Sequence, residues 1–383
     1  MPIWQQRGVR LTGNIALASS NRYFSIATVW FLAIICISFP GRAGAIPVFS
    51  RQFGVACSMC HSVPPRLNKF GYAFQANHFN WPGPKPRQVK PFGTYLPITT
   101  ITTASYSNDI TGRQETIDFR SFELFFSSGL GIGKGRQGGF FINLLAAATG
   151  DDTNGDLDDA YVSLPLAGRR GQLAITVGQA TPLLYQYDPV NSLTDTIPYG
   201  LSEGADEFAL GESTPMVRLD YFDNRGKLSP DGNYVSLGVP FRGHLELTRQ
   251  GSVGPGSGLF AHAFHRWGYT TVGAIGYVHK NANLAGLIGT YTFANKVYLT
   301  GIGTLAHEPG FNTTHVSLEA EYLPINRLSV TGRAELISGD RSDLATVAAV
   351  NYYPFANQLL RLSAESRQRR ADRGFDLTVR FQY

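Results

Sequence analysis

The sequence predicts a mainly β fold, an antiparallel β-barrel of an outer membrane, from three observations. Charged residues make up only 16% of the chain, whereas Gly (42), Tyr (18) and Phe (25) are abundant. From about Tyr95 onward, short stretches of alternating apolar and polar residues are separated by Gly, Asn, Asp and Pro. The chain also ends on an amphipathic strand with an aromatic last residue, Tyr383. These features are typical of a barrel with a lipid-facing outer surface and a polar interior.

The alternation gives an approximate strand number. In "RLSVTGRAEL", residues 327–336, Leu and Val alternate with Ser, Thr, Arg and Glu. The final stretch "GFDLTVRFQY" puts five apolar or aromatic side chains on one face: Phe375, Leu377, Val379, Phe381 and Tyr383. Counting such runs predicts about 16 strands, with 14 as the alternative. A soluble exported β-sandwich competes with the barrel, but the low charge content and the terminal strand disfavour it.

The first 45 residues predict an export signal. Arg22 precedes the apolar run "YFSIATVWFLAIICISF", which is shorter than a membrane-spanning helix needs, and Ala43-Gly44-Ala45 provides a small-residue cleavage site. We therefore expect a signal peptide over 1–45. This leader holds four arginines and no acid, so the mature chain is nearly neutral and no nucleic-acid partner is predicted.

The stretch "GVACSMCHSVPP" contains the main chemical motif. Cleavage removes Cys36 and leaves Cys57 and Cys60, which form C-x-x-C-H with His61. This pattern attaches a c-type haem: two thiols bond the two vinyl groups, and the adjacent imidazole binds the iron. A disulfide would leave His61 unexplained, a zinc site needs two further ligands, and no βαβ context suggests a thioredoxin-like pair. The sequence thus predicts one covalent haem c.

The distal iron ligand is less defined by the sequence. His78 lies seventeen residues after His61 in the same short segment, and a ligand so close along the chain costs little loop-closure entropy. We predict His78 as the distal ligand. An iron without a strong distal ligand is one alternative, and ligands from the barrel wall are another: Met216, His244, His262 and His265.

The predicted domains are the signal peptide (1–45), a small helical haem segment (46–92) and the barrel (93–383). The haem segment is too short to enclose a haem by itself, so we expect part of the haem to be buried against the barrel. Its apolar residues offered for this cover are Leu67, Phe70, Phe74, Phe79 and Trp81.

Three segments lack clear strand alternation. The Asp-rich stretch "GDDTNGDLDDAY", residues 150–161, fails the spacing of a calcium loop and is expected to be a solvated loop or a lumen-facing turn. Residues 179–215 are expected to fold into the lumen or to extend outside as a large loop. The basic run "ESRQRRADR", residues 365–373, is expected to be a solvated hairpin loop.

The stretch "FSRQFGVACSMCHSVPPRLNKFGYAFQANHF" resembles the opening of the fused monohaem cytochrome c–porins of iron-oxidising bacteria. The matching residues are Phe49, Arg51, Gln52, Cys57, Cys60, His61, Leu67, Phe70, Gly71 and Phe74. The resemblance implies electron transfer across the outer membrane of a Gram-negative bacterium, with the haem in or against the barrel. Asn68-Lys69 stands where a Thr-Pro-like pair is expected, and His78 has no assigned role in that family.

The predicted function is therefore electron transfer between an extracellular donor or acceptor, with ferrous iron as one candidate, and the periplasm. One haem does not span the ~30 Å apolar layer, so a periplasmic partner such as a soluble cytochrome is implied. No catalytic dyad or triad stands out, so we predict an electron carrier rather than an enzyme. The alternatives are a diffusion porin with a haem-bearing plug or sensor, and a soluble exported cytochrome with a β-domain.

Overall fold

The computed structural model describes residues 48–83, 98–110, 114–131, 137–149, 152–168, 172–186, 192–194, 196–202, 208–241, 258–280, 282–339, 342–355, 360–369 and 372–382. The predicted cleavage site, the boundary at 92/93 and His244 lie outside these residues. The first described segment contains helix α1 (Val48–Phe53), a 3-10 turn (Cys57–Met59), the short strands β1 (His61–Val63) and β2 (Arg66–Leu67), and helix α2 (Lys69–Ala76). No described helix is long and apolar enough to cross a membrane.

Sixteen antiparallel strands form one closed barrel, which confirms the predicted fold class and the larger strand number. The barrel closes where β18 pairs with β3, for example Thr378 with Ser105. The strands are β3 Ile98–Asp109, β4 Gln114–Gly131, β5 Gln137–Thr149, β6 Asp152–Ala167, β7 Leu173–Ala180, β8 Thr214–Phe222, β9 Gly232–Pro240, β10 Leu259–Trp267, β11 Thr270–His279, β12 Ala282–Phe293, β13 Val297–Glu308, β14 Phe311–Ile325, β15 Leu328–Ser338, β16 Asp343–Tyr352, β17 Leu360–Arg369 and β18 Asp372–Gln382.

The two faces of the barrel differ in polarity, as the alternation predicts. In β14, Leu318 is 66% exposed on the outer face, whereas Glu319 and Glu321 are buried on the inner face. The same pattern repeats in β15, where Leu336 is exposed and Arg333 is buried. An apolar outer band and a polar interior fit a barrel surrounded by lipid.

Residues 48–83, hereafter the plug, lie inside the barrel at the end where the chain enters β3 and leaves β18, hereafter the near end. The backbone N–H of Val48 donates to Thr99 Oγ1 (2.7 Å), and the N–H of Gly83 donates to the carbonyl of Gly226 (3.3 Å). The plug buries an aromatic cluster against the inner wall: Phe53, Phe74, Phe79, Trp81, Tyr161, Tyr185, Phe222, Tyr234 and Phe264. The aromatic residues predicted to cover the haem thus also anchor the plug to the barrel.

The described residues of the connection between β7 and β8 (181–186, 192–194, 196–202 and 208–213) fold into the lumen and are hereafter the lumen loop. Leu183, Leu201 and Phe208 pack against inner-wall residues of β10 to β13. Gln186 Nε2 donates to the carbonyl of Ile288 (2.9 Å), which fixes the loop to β12. Of the two alternatives for residues 179–215, the described residues of the loop follow the first, folding into the lumen, whereas Gln179 and Pro215 belong to β7 and β8.

Two of the loop expectations are wrong. Residues 152–161 of the Asp-rich stretch lie in β6, and residues 365–369 of the basic run lie in β17. Asp159 and Glu365 are buried on the lumen side. Charged residues are stable on the inner face of a membrane strand, so a high charge content did not indicate a loop here.

Candidate haem-attachment site

The C-x-x-C-H motif lies on a tight turn directly after α1. The N–H of Met59 donates to the carbonyl of Ala56 (2.9 Å), and the N–H of Cys60 donates to the carbonyl of Cys57 (3.1 Å). Side chains three positions apart on a 3-10 turn lie on the same side of it. The turn therefore suits attachment of both thiols to one planar macrocycle.

Both thiols are free and partly exposed in the described chain. Burial raises the pKa of Cys57, and burial followed by the neighbouring Cys57 raises the pKa of Cys60 to about 12. Reactive redox dithiols instead have lowered pKa values, because the thiolate is the attacking species. The directions of these pKa shifts therefore give no support to a thioredoxin-like pair.

His61 begins β1, and β1 pairs with β2 through His61 and Leu67. Its Nδ1 lies 3.1 Å from the carbonyl oxygen of Pro65. In the neutral ring this carbonyl accepts the Nδ1 proton, so Nε2 keeps the lone pair that binds iron. Burial lowers the pKa of His61, against the effect of backbone hydrogen bonds to Pro65 and Arg66 that raise it. The neutral ring is thereby favoured, and His61 fits the role of a proximal ligand.

Asn68 and Gly71 hold α2 against the motif. Asn68 Nδ2 donates to the carbonyls of Ser58 and Met59 (both 3.1 Å), and its Oδ1 caps α2 by accepting the Gly71 N–H (3.0 Å). A Cβ at Gly71 would lie 2.1 Å from the carbonyl oxygen of Cys60. Only glycine allows this close approach, so the residue is needed for the packing of the helix on the turn.

Three contacts fix the hairpin of His61 to one wall of the barrel. Ser62 Oγ hydrogen-bonds with Tyr298 Oη, and Tyr353 Oη donates to the carbonyl of Pro64 (2.6 Å). Arg66 Nε donates to Glu321 Oε2 (2.6 Å), and both side chains are buried. The wall at β13, β14 and the end of β16 therefore sets the orientation of the motif.

His78 lies against another part of the lumen. Its ring is buried, its Nδ1 is 3.4 Å from Tyr185 Oη, and its Nε2 has no hydrogen-bond partner among the described residues. Its backbone is next to Gly139 of β5. Burial, then the charges of Arg225 and Arg218, lower the pKa of His78 well below its usual value. No described contact joins His78 to His61, and its role as distal ligand stays a prediction.

The three alternative distal ligands that the structure describes have other partners. Met216 is buried in the apolar cluster of the lumen loop, and His262 Nε2 lies 2.7 Å from Gln186 Oε1. His265 Nδ1 lies 2.8 Å from Asn233 Oδ1. Within the described ranges, no group of three or more His, Cys, Asp or Glu side chains could hold a metal ion by itself.

The sequence did not predict the contacts between the plug and the wall. Arg66 and Asn68 follow the motif closely, and their polar side chains within the otherwise apolar segment after it were a detectable signal. Tyr298, Glu321 and Tyr353 are more than 200 residues away along the chain, and no local pattern relates them to the motif.

The comparisons with known proteins concern the fold. No protein-family model and no curated protein matches the chain. Similar solved structures include the anion-selective porin from Comamonas acidovorans, at 14% identity and a TM-score of 0.57, covering 75% of this chain and 98% of that chain. OmpF of Salmonella typhi in complex with daunomycin is 12% identical with a TM-score of 0.58, covering 75% of this chain and 97% of that chain. The outer membrane channel DcaP of Acinetobacter baumannii is 12% identical with a TM-score of 0.53, covering 75% of this chain and 96% of that chain. The chain thus has the fold of outer-membrane porins, in agreement with the predicted location.

Proposed function

We propose that this protein is an outer-membrane electron carrier in which the plug holds one covalent haem c inside the near end of a barrel. The observation that carries the proposal is the C-x-x-C-H turn, with the Nδ1 of His61 directed to the carbonyl of Pro65. Cys57 and Cys60 would form the two thioether bonds, and His61 would bind the iron. When bound, the haem supplies a one-electron ferrous–ferric couple.

Residues of the plug and of the barrel wall fix the orientation of His61 and limit the access of water to the site. The contacts of Ser62, Pro64 and Arg66 with the wall fix the hairpin, so the imidazole of His61 is held in one orientation. The aromatic cluster excludes water from the side of the plug that faces β5 to β10. The lumen loop packs against the inner wall at β10 to β12 and so fills part of the lumen.

In outer-membrane barrels both chain termini lie on the periplasmic side with the short turns, so the near end faces the periplasm. A periplasmic electron-transfer protein is then the immediate partner of the site, and the extracellular donor or acceptor acts from the far end. Oxidation of ferrous iron is one candidate for that exchange.

The second candidate is a diffusion porin whose plug has a structural or sensing role. The similarity of the fold to solved porins and channels favours it. In this case solutes pass between the plug, the lumen loop and the wall, and the haem carries no electron between the two sides. The two candidates make opposite predictions for solute flux and electron flux.

Liposomes separate the two candidates. Vesicles that enclose a soluble c-type cytochrome as acceptor and a fluorescent sugar as solute are supplied outside with a reductant bound to a polymer. An electron carrier reduces the enclosed acceptor and retains the sugar, and Cys60→Ala abolishes the reduction. Sugar release with no reduction, or reduction that persists in Cys60→Ala, contradicts electron transfer and supports the porin.

A further inference from the structure

A cavity at the near end, between α2 and the strands β10 to β13, has an unusual set of charges. The residues that line it include Arg66, Lys69, Tyr72, Arg266, Tyr298 and Thr300. Three of its lining residues are basic, and none of the described lining residues is acidic. A buried surface of this composition favours an anion.

Two of the three basic residues have carboxylate partners outside the cavity lining. Arg66 bonds Glu321, and Lys69 Nζ lies 3.1 Å from Asp231 Oδ2. Their charges are therefore largely balanced.

The charge of Arg266 is not balanced in this way. Its side chain projects inward from β10 and the residue is 5% exposed. Nε donates to Thr271 Oγ1 (3.0 Å), and Nη2 donates to the carbonyl of Tyr185 (3.2 Å). The guanidinium stacks 4.3 Å from the ring centre of Tyr72, and none of the described carboxylates forms an ion pair with it. A guanidinium that is buried without an anion is costly, and it lines a cavity that can admit one.

The cavity adjoins the candidate haem site through α2. Asn68, the N-cap of this helix, and Gly71 contact the C-x-x-C turn, and Asn68, Lys69 and Tyr72 line the cavity. Leu67, another lining residue, pairs with His61. A haem carries two carboxylates, its propionates, on the edge away from its vinyl groups, and burial of these groups requires cationic or hydroxyl donors.

We infer that the cavity is a carboxylate-binding site centred on Arg266, and that in the haem-loaded protein its occupant is a haem propionate. The guanidinium forms a charge-assisted hydrogen-bonded pair with the carboxylate, and tyrosine and threonine hydroxyls around it supply further donors. The identity of the occupant rests on the proposed haem attachment. The preference for a carboxylate rests on the cavity alone.

The first arm of the test uses the full chain without haem. Cys57→Ala/Cys60→Ala protein in detergent is titrated with sodium propionate, and binding is followed by NMR of the propionate. We expect saturable binding that is at least tenfold weaker in Arg266→Gln. Arg266→Lys retains the charge and is expected to bind within a few fold of the parent. Lys227→Gln removes an exposed charge at the same end outside the cavity and is expected to have no effect.

The second arm uses the haem-loaded protein. Added propionate is expected not to bind, because the site is occupied. Arg266→Gln is expected to lower the reduction potential, since loss of a nearby cation stabilises the ferric form, whereas Arg266→Lys and Lys227→Gln leave it nearly unchanged. Folding of each variant is checked by circular dichroism and by the mobility of unheated and heated samples on a gel.

The outcomes are distinct. Propionate binding that does not depend on Arg266 in the haem-free chain overturns the site. Equal binding to haem-free and haem-loaded protein shows that the site takes a free carboxylate and overturns the haem propionate as its occupant. If the wild type carries no covalent haem, the proposed function fails, while the haem-free titration still decides whether the cavity binds carboxylates.

Discussion

The Nδ1 atom of His61 lies 3.1 Å from the carbonyl oxygen of Pro65, four residues later in the same hairpin. This single contact gives the imidazole one tautomer and one orientation, with Nε2 available to a metal. The hairpin is in turn fixed to the barrel wall by Tyr298, Tyr353 and Glu321. The wall of the barrel therefore positions the His61 ring, which the motif alone does not orient.

The ion pair between Arg66 and Glu321 is predicted to hold the plug in the barrel. Arg66→Met leaves a buried carboxylate without its partner, which should destabilise the plug by about 3–5 kcal/mol. Urea unfolding followed by Trp81 fluorescence, in a Trp267→Phe background, measures this change. Lys69→Met removes the exposed pair with Asp231 and should cost less than about 1 kcal/mol.

The double variant Arg66→Met/Glu321→Gln tests the cause. Removing both charges should restore part of the lost stability, because no buried charge remains unpaired at that position. Equal loss in the single and double variants would mean that the packing of Arg66, rather than its charge, holds the plug.

Gly71→Ala is predicted to separate α2 from the C-x-x-C turn. The added Cβ would lie 2.1 Å from the carbonyl oxygen of Cys60, so the helix must shift, at a cost of about 1–3 kcal/mol. The plug should unfold at lower urea, and less haem per protein should be attached. Gly332→Ala, where a Cβ meets no atom within 4 Å, is the control and should change neither quantity. A Gly71→Ala protein with normal stability and haem content would contradict the packing described for α2.

His78 is predicted to make the plug sensitive to acid. Its folded pKa is lowered below the ordinary 6.5 by burial and by Arg225 and Arg218, so the unfolded chain binds the proton more readily. The contribution of the neutral His78 ring to the free energy of unfolding is fully present above about pH 6.5. It falls as the pH drops toward the folded pKa, by at most about 1.4 kcal/mol per pH unit. Urea unfolding of the Cys57→Ala/Cys60→Ala chain at several pH values measures it. His78→Gln should reduce the slope below pH 6.5, and an unchanged slope would show that His78 is not buried as a neutral ring.

The proposed distal role of His78 has a separate spectroscopic test. If His78 binds the iron, His78→Ala should convert a low-spin visible and magnetic resonance spectrum into a high-spin one. His265→Ala, at an exposed ring bonded to Asn233, is the control. A low-spin spectrum that is unchanged in His78→Ala would move the search to Met216, His244 and His262.

The barrel was predictable because its determinant is local. Alternating polarity along each strand decides which side chains face lipid, and β14 and β15 follow it residue by residue. The motif of Cys57, Cys60 and His61 could also be recognised in the sequence, because it depends on adjacent residues, but haem attachment to it stays a prediction. The Asp-rich stretch and the run at 365–369 were misjudged, since a charged lumen face and a solvated loop have the same composition. The cavity of Arg266 depends on residues from α2 and four strands, and no local pattern brings these together.

The most direct test of the account is whether the mature chain carries a covalently attached haem. Purified protein is denatured, separated on a gel, stained for haem peroxidase activity and measured by intact mass. We predict a stained band and a mass increased by one haem in the wild type, with loss or strong weakening of both in Cys60→Ala. An unstained wild type whose mass equals that of the polypeptide, or whose haem is extracted into acidified organic solvent, would contradict it.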